Sequence, residues 1–439
     1  MGINSVCVVG LGYIGLPTAA VLASKDVKVV GVDVNPATVE AINHGDVPFV
    51  EPDLATYVAG AVQLGMLRAA QVPEPADAFI VAVPTPFSDG RGPDLSHIRA
   101  AAEALARVLR GGELVILEST SPPGATQRMA DWILAARPDL SLDGSDARPV
   151  IHVAHCPERV LPGRVMIELV TNDRVVAGLT PQAAQMARDL YAVFCQGEIL
   201  TTDTVTAEMV KLAENSFRDL NIAFANELSL IADKVGIDVW ELIRLANRHP
   251  RVDILRPGPG VGGHCIAVDP WFLVDAAPQQ ARLIRTARQV NDAKPQWVVD
   301  KVLAAVVGME RPVVAALGLS FKADVDDLRE SPAVEIVRRL AYEAPHARIR
   351  VVEPHVSRLP GDLRRLANVA LVDPDRALDG ADVGVLLVDH GRFERLLDRL
   401  GSVPAVVDTR GALARRQDGG RRPGRPSRAA HERHRGGPR

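Results

Sequence analysis

The first thirty-three residues of this 439-residue chain constrain its fold more than any other stretch. Ser5 to Gly10 reads as an apolar strand, and Gly10-Leu11-Gly12-Tyr13-Ile14-Gly15 follows it. A helical stretch then runs to Ser24, and a second strand runs from Val27 to Asp33. A glycine turn between strand and helix suits phosphate binding, and each glycine has its own reason. Gly10 makes the tight turn, Gly12 admits a pyrophosphate, and Gly15 lets helix and strand pack closely. The N–H groups at the helix start are free to bind phosphate. Asp33 can accept hydrogen bonds from ribose hydroxyls, and its charge repels a 2′-phosphate. The pattern therefore predicts NAD rather than NADP.

Further strands are expected at 78–83, 114–118, 150–154 and 174–178, with helical patterns between most of them. That alternation predicts a mostly parallel sheet covered by helices. Thr85 and Ser119-Thr120 fall just past strand ends, the edge at which open α/β sheets bind ligands. From about Thr206 the period changes. Met209, Leu212, Phe217, Leu220, Phe224, Leu228 and Ile231 recur at helical steps until Gly236 ends the run. A second helical region spans about 279–307, and a helical spine of this kind suits a dimer interface. Another α/β lobe starts at Pro312, with strands expected at 313–319, 348–352, 383–388 and 405–408 and a helix at 331–342. Its Gly318-Leu319-Ser320-Phe321-Lys322 lacks the full glycine fingerprint, as a lobe binding a different nucleotide would. The fold class is thus α/β, two Rossmann-like doubly wound domains joined by a helical central domain.

The net charge of −4 implies no bulk attraction to nucleic acid. Apolar runs such as 313–319 are too short to span a bilayer. The N-terminus lacks a basic leader and a cleavage site. Cys7, Cys156, Cys195 and Cys265 show no metal-ligand spacing, so no metal is expected, and reduced thiols point to the cytoplasm. Charge is uneven, however. Residues 411–439 carry nine arginines against Asp418 and Glu432, so the −4 divides into +7 for this tail and −11 for the rest. Rich in Gly, Pro and Arg, residues 412–439 cannot bury a core and are expected to be disordered.

Residues 257–270, Pro-Gly-Pro-Gly-Val-Gly-Gly-His-Cys-Ile-Ala-Val-Asp-Pro, set Cys265 behind four glycines and four residues before Asp269. A thiol on a glycine loop with a carboxylate nearby suits covalent catalysis. Alone, Cys265 would read as a small buried hydrophobe. His264 reads as a loop or substrate contact, because adjacent residues point in different directions. Lys211 and Asn215 share a helix face one turn apart and could hold an oxyanion, charge from one and direction from the other.

Taken together, the motifs resemble the nucleotide-sugar 6-dehydrogenases over residues 1 to about 411. They occur in family order: GLGYIGLP at 10–17, EST at 118–120, CPER at 156–159, KLAENSFRDLN at 211–221, HPRV at 249–252, GGHCIAVDP at 262–270 and FKADVDDLRESP at 321–332. The resemblance implies a domain plan: an NAD-binding domain at 1–200, a helical dimerisation domain carrying Lys211 and Cys265 at 201–308, and a UDP-sugar-binding domain at 309–411. It implies Cys265 as nucleophile, Lys211 and Asn215 at the C6 oxygen, and Asp269 and Glu158 in proton transfer and water activation. NAD would meet Gly10, Gly12, Tyr13, Ile14, Gly15, Asp33, Thr85, Thr120, Thr126 and Arg329. The sugar nucleotide would meet Arg159, Val160, Lys211, Asn215, Arg218, Gly260, Phe321, Lys322 and Arg410. In a homodimer, His249 and Arg251 would reach the second subunit's site. Many UDP-glucose enzymes of the family carry a second glutamate where Pro162 stands here.

The implied reaction is a four-electron oxidation of a UDP-hexose C6 alcohol to the carboxylate, through a thiohemiacetal and a thioester on Cys265. The segments at 247–252 and 261–272 most resemble the branch acting on UDP-N-acetyl-D-mannosamine, and the UDP-glucose branch typically carries Ser where His264 stands. UDP-N-acetylglucosamine and UDP-glucose are the rival substrates. A silent NAD-dependent sensor is the rival class, against which intact Cys265, Lys211, Asn215 and Asp269 speak.

Overall fold

The computed structural model describes residues 2–87, 92–161, 163–263 and 265–417. Its first sheet contains β1 (Ser5–Val9), β2 (Lys28–Val32), β3 (Leu67–Ala70), β4 (Ala78–Val81), β5 (Leu114–Leu117), β6 (His152–His155), β7 (Arg174–Gly178) and β8 (Ile199–Thr202). Their order across the sheet is β3-β2-β1-β4-β5-β6-β7-β8, with only the β6–β7 pair antiparallel. The order reverses direction between β1 and β4, and that switch point opens a crevice at the strand C-termini. Both sheet faces are covered: Val6, Val8, Leu16 and Leu22 pack on one side, Cys7, Phe79, Ile98 and Met129 on the other.

The second lobe holds β9 (Val313–Leu317), β10 (Arg348–Val352), β11 (Val369–Leu371), β12 (Val383–Leu386) and β13 (Ala405–Asp408), in the all-parallel order β11-β10-β9-β12-β13. Its turns repeat those of the first. The Gly10 N–H donates to Val32 O and the Gly318 N–H to Val352 O, both at 2.8 Å, and both glycines have a positive φ, 97° and 93°. Short β3, β8 and β11 lay outside the sequence reading.

Between the lobes runs the helix Thr204–Val235. Asp203 caps its start by accepting the Thr206 N–H, and Gly236 ends it in the left-handed conformation. The expected apolar stripe divides: Leu212 is buried, but Phe217, Phe224 and Ile231 face outward, 72%, 49% and 51% exposed, as does Val235 at 66%. Beyond Leu212 the buried face is small and polar, with Asn215, Ser216, Asp219, Asn226 and Ser229. It meets the helix Arg282–Ala305 through a buried network. Arg288 donates to Asp219 at 2.6 Å, Asn291 to Asp219 at 2.8 Å, and Asn226 to Asn291 at 2.8 Å. Removing one partner of such a network strands the others in a poorly solvated interior. No helix among the described residues is long and apolar enough to cross a membrane.

The expected disordered tail begins too early. Ala412–Gln417 is a helix, with Ala412 buried, Arg415 paired to Asp389 at 2.9 Å and Arg416 paired to Asp398 at 2.5 Å. Two of the arginines that made the segment look unfoldable belong to these ion pairs. The rest of the tail, from residue 418, lies outside the described residues, as do His264 and Pro162.

Candidate active site

The three glycines after β1 differ in what their missing side chains would touch. A Cβ on Gly10 would lie 2.5 Å from Ala82 O, and one on Gly15 would lie 1.8 Å from Gly10 O. Protein packing requires both. A Cβ on Gly12 would meet nothing within 4 Å, so the space above it is open to a ligand rather than filled by the chain. The helix Gly15–Ala23 starts there without a side-chain cap, and the positive end of its dipole suits an anion. Asp33 accepts the Leu11 N–H at 3.0 Å and the Asn35 N–H at 2.9 Å, which fixes it beside the turn. These residues fit a dinucleotide. Tyr13 stacks on Phe49 with ring centroids 4.2 Å apart, and Arg329 from the second lobe lies 5.3 Å over its ring. Ile14 is the half-buried N-cap position.

Thr85 and Thr120 meet at the C-terminal edge of β4 and β5, where the Thr85 hydroxyl donates to Thr120 O at 2.6 Å. Thr126 has a partner of its own. Expected at the cofactor, it is fully buried, and its hydroxyl and N–H both donate to Glu208, at 2.6 and 2.7 Å. Glu208 also accepts the Gly124 N–H, so a carboxylate from the long helix anchors the start of the helix Ala125–Ala136.

The chemistry-bearing residues converge at the other rim. Asn215 Nδ2 donates to Asp269 Oδ2 at 2.5 Å, and both residues are buried. Asp269 opens the helix Asp269–Ala276, and its N–H donates to Cys265 O at 2.8 Å. One turn of backbone therefore couples thiol and carboxylate. Burial pushes the Asp269 carboxyl up to about 7, against the Asn215 hydrogen bond and the Lys211 charge. Cys265 opens to solvent, yet the protein packed around its thiol pushes it up to about 11. Asp269 adds to that rise, while Lys211 and Arg329 oppose it.

The glycine loop before Cys265 is close-packed for a reason the sequence reading left open. A Cβ on Gly262 would lie 2.6 Å from Glu330 O, 2.7 Å from Pro332 Cδ and 2.8 Å from Phe321 Cβ. One on Gly263 would lie 3.0 Å from the Phe321 ring, and one on Gly260 2.9 Å from Pro332. Gly258 is hemmed in by Arg410, which pairs with Asp389 at 3.0 Å. The second lobe thus presses Phe321 and Arg410 onto the cysteine loop, with exposed Lys322 next in sequence.

Other expected residues have partners of their own. Glu158 is buried, accepting from Arg174 at 3.2 Å and from the Arg159 N–H at 2.6 Å. Its neighbour Glu118 is pushed up to about 8, first by burial, then by the Glu158 charge. The Arg159 guanidinium pairs with Glu214 at 2.5 Å, one residue from Asn215, and Val160 packs at the first core. Arg218 is exposed on the long helix, and His249 and Arg251 are exposed past the end of the helix Val239–Ala246. Arg174, Glu118, Glu208 and Glu214 were missed, because lone charged residues on strands and helices read as surface groups.

A dinucleotide cradle facing a loop-borne thiol, under a second nucleotide-type lobe, defines an NAD-dependent oxidoreductase acting on a nucleotide-linked sugar. The chain belongs to the UDP-glucose/GDP-mannose dehydrogenase family. It matches that family's NAD binding domain over residues 4–195, its central domain over 205–293 and its UDP binding domain over 315–415. It is 58% identical over 410 residues to the NDP-N-acetyl-D-galactosaminuronic acid dehydrogenase of Ralstonia nicotianae, covering 93% of this chain and 96% of that one. It is 55% identical over 420 residues to the UDP-N-acetyl-D-mannosamine dehydrogenase of Yersinia pestis, covering 94% and 99%. The solved UDP-D-ManNAc dehydrogenase of Pyrococcus horikoshii superposes with a TM-score of 0.82 at 37% identity, over 92% of this chain and 95% of that one.

Proposed function

We propose that this enzyme oxidises the C6 alcohol of UDP-N-acetyl-D-mannosamine to the carboxylate, with Cys265 as covalent nucleophile. The observation that carries the reading is the Cys265–Asp269–Asn215 group with Lys211 beside it. The Gly12 cradle would hold NAD, which would supply the hydride acceptor for both oxidations, two equivalents per sugar. Asp269, poised near neutrality at about 7, can take the alcohol proton, while Lys211 and Asn215 hold the C6 oxygen. The Cys265 thiolate then adds to the aldehyde carbon, and the thiohemiacetal keeps the aldehyde from leaving. Loss of the second hydride gives a thioester, and water attack releases the carboxylate and restores the thiol. A thiol near 11 is mostly protonated at neutral pH, so Lys211 and Arg329 assist by favouring its anion.

Glu158, joined to Arg174, is placed in this reading near the water step. Phe321, Lys322 and Arg410 hold the UDP portion, with Gly260 keeping the cysteine loop against them. The outward apolar face at Phe217, Phe224, Ile231 and Val235 supports a homodimer along the long helix, with His249 and Arg251 offered to the neighbouring subunit. Four free cysteines fit a reducing, cytoplasmic setting, and the product would feed polysaccharide biosynthesis.

A second reading has its own support. The Ralstonia relative, named for N-acetyl-D-galactosaminuronic acid, shares 58% identity with this chain against 55% for the Yersinia mannosamine enzyme. Both sugars carry a 2-acetamido group. NADH release against a panel of UDP-N-acetylmannosamine, UDP-N-acetylgalactosamine, UDP-N-acetylglucosamine and UDP-glucose decides between them. The highest kcat/KM is expected for the mannosamine nucleotide, and a higher value for any other reassigns the sugar.

A further inference from the structure

The two lobes share a turn, but its acidic residue has different company in each. In the first lobe Asp33, just after β2, is half-buried and receives two backbone N–H groups. In the second, Glu353 takes the matching place just after β10. Its Oε2 accepts the Leu319 N–H at 2.7 Å and the Ser320 N–H at 3.0 Å, and its Oε1 accepts the His355 N–H at 3.0 Å. Glu353 is buried, however, and Nε2 of His390 lies 3.1 Å from the same Oε2. In a dinucleotide site a ribose would meet this acidic group. Here an imidazole from the segment after β12 fills the position.

The second ring nitrogen is also engaged. The Asp324 N–H donates to His390 Nδ1 at 3.0 Å, which puts the ring proton on Nε2, where it donates to Glu353. Asp324 sits at φ 62°, a left-handed conformation that a non-glycine residue holds only with support. Its carboxylate accepts the Gly391 N–H at 2.9 Å, so the two segments grip each other twice. Ser320 Oγ donates to Lys322 O at 2.6 Å within the same loop. The 319–324 loop is therefore fastened at both ends, through Glu353 at Leu319-Ser320 and directly at Asp324. Between the fastenings lie Phe321, against the cysteine loop, and Lys322. Asp324, His355 and His390 also bring possible metal-binding atoms within 4.8 Å of one another, but both His390 nitrogens already have protein partners.

We propose that buried His390 is a positioning residue, whose two ring nitrogens hold the 319–324 loop in the shape that presents Lys322 and Phe321 to the diphosphate and sugar of the substrate. The inference rests on the sugar-nucleotide reading above. Three variants separate the two fastenings. His390→Asn puts an amide oxygen near the Nδ1 position and keeps the Asp324 contact. His390→Gln puts an amide nitrogen near Nε2 and keeps the Glu353 contact, while His390→Ala removes both.

The experiment is calorimetric titration of the full-length protein with UDP and separately with NAD, alongside steady-state kinetics. For His390→Ala we expect a roughly tenfold or larger rise in the UDP Kd and sugar-nucleotide KM, given hydrogen bonds each of modest net strength. The NAD Kd should stay at its wild-type value, kcat should change much less, and the Asn and Gln variants should each recover part of the loss. UDP affinity at the wild-type level in His390→Ala overturns the proposal, as does a matching fall in NAD affinity. Should the alanine variant not fold, wild-type UDP affinity in both the Asn and Gln variants overturns it, and a partial loss in each supports it. Wild-type protein that binds NAD but not UDP overturns the sugar-nucleotide reading itself.

Discussion

Asn215 on the long central helix donates to Asp269 at the start of the next lobe-facing helix, 2.5 Å away, in a place closed to water. That one bond joins the face of the spine that carries Asn215 to the cysteine loop. It also leaves a carboxyl at about 7, far above its ordinary value near 3.8, because burial outweighs the Asn215 bond and the Lys211 charge.

A carboxyl raised on folding burdens the folded state once it ionises. Below the unfolded value, both states are protonated and there is no cost. The cost grows as pH rises from about 4 to about 7 and is constant above that. Asp269→Asn should therefore lose turnover yet raise folding stability by roughly 2–4 kcal/mol at pH 8, from about 1.4 kcal/mol per pKa unit. The gain should shrink steadily from pH 7 towards pH 4. Calorimetric melts across that range check it, and a pH-independent difference would show that Asp269 does not titrate there.

The glycines should separate by what they touch. Gly12→Ala should melt like the wild type but bind NAD roughly tenfold or more weakly, since only the ligand is crowded. Gly262→Ala meets the Glu330 carbonyl and Pro332, so it should lower Tm and loosen the lobe contact while leaving NAD affinity near normal. Titration with NAD and thermal melts of both variants check the split. Weakened NAD binding in Gly262→Ala alone would reverse the assignment.

Much of this was legible in the chain, and the reasons are local. Gly10, Gly12, Gly15 and Asp33 act within one βαβ unit, so their spacing carries their geometry. Cys265 and Asp269 are one turn apart, and their coupling follows from sequence alone. The Thr126–Glu208 contact is of another kind: the two residues are 82 apart in the chain, and nothing local marks the pairing. Arg159 with Glu214 and His390 with Glu353 are hidden in the same way, 55 and 37 residues apart. Apolar periodicity found the central helix but not which face is covered, because Phe217 and Phe224 point outward and a polar network lies within.

The tail boundary gives a direct test by truncation. Ending the chain after Gln417 should leave activity and Tm almost unchanged, since residues 418–439 are mostly Gly, Pro, Arg and other polar or small residues. Ending it after Gly411 removes Arg415, which shares Asp389 with Arg410. That truncation should raise the sugar-nucleotide KM several-fold and lower Tm. Identical behaviour of the two truncations would remove the helix Ala412–Gln417 from the account of the site.

Cys265→Ser should keep NAD and UDP affinity near wild-type values while losing most turnover, because a hydroxyl is a far poorer nucleophile than a thiolate. Equilibrium titration and steady-state rates check it together. Near-normal turnover would take Cys265 out of the mechanism.

The covalent four-electron route is tested most directly by stoichiometry. Purified enzyme with excess NAD and a limiting amount of UDP-N-acetylmannosamine, run to completion, should release two NADH for each sugar nucleotide consumed, with the uronate as the only sugar product. One NADH per sugar, with free aldehyde accumulating, would contradict a thioester on Cys265.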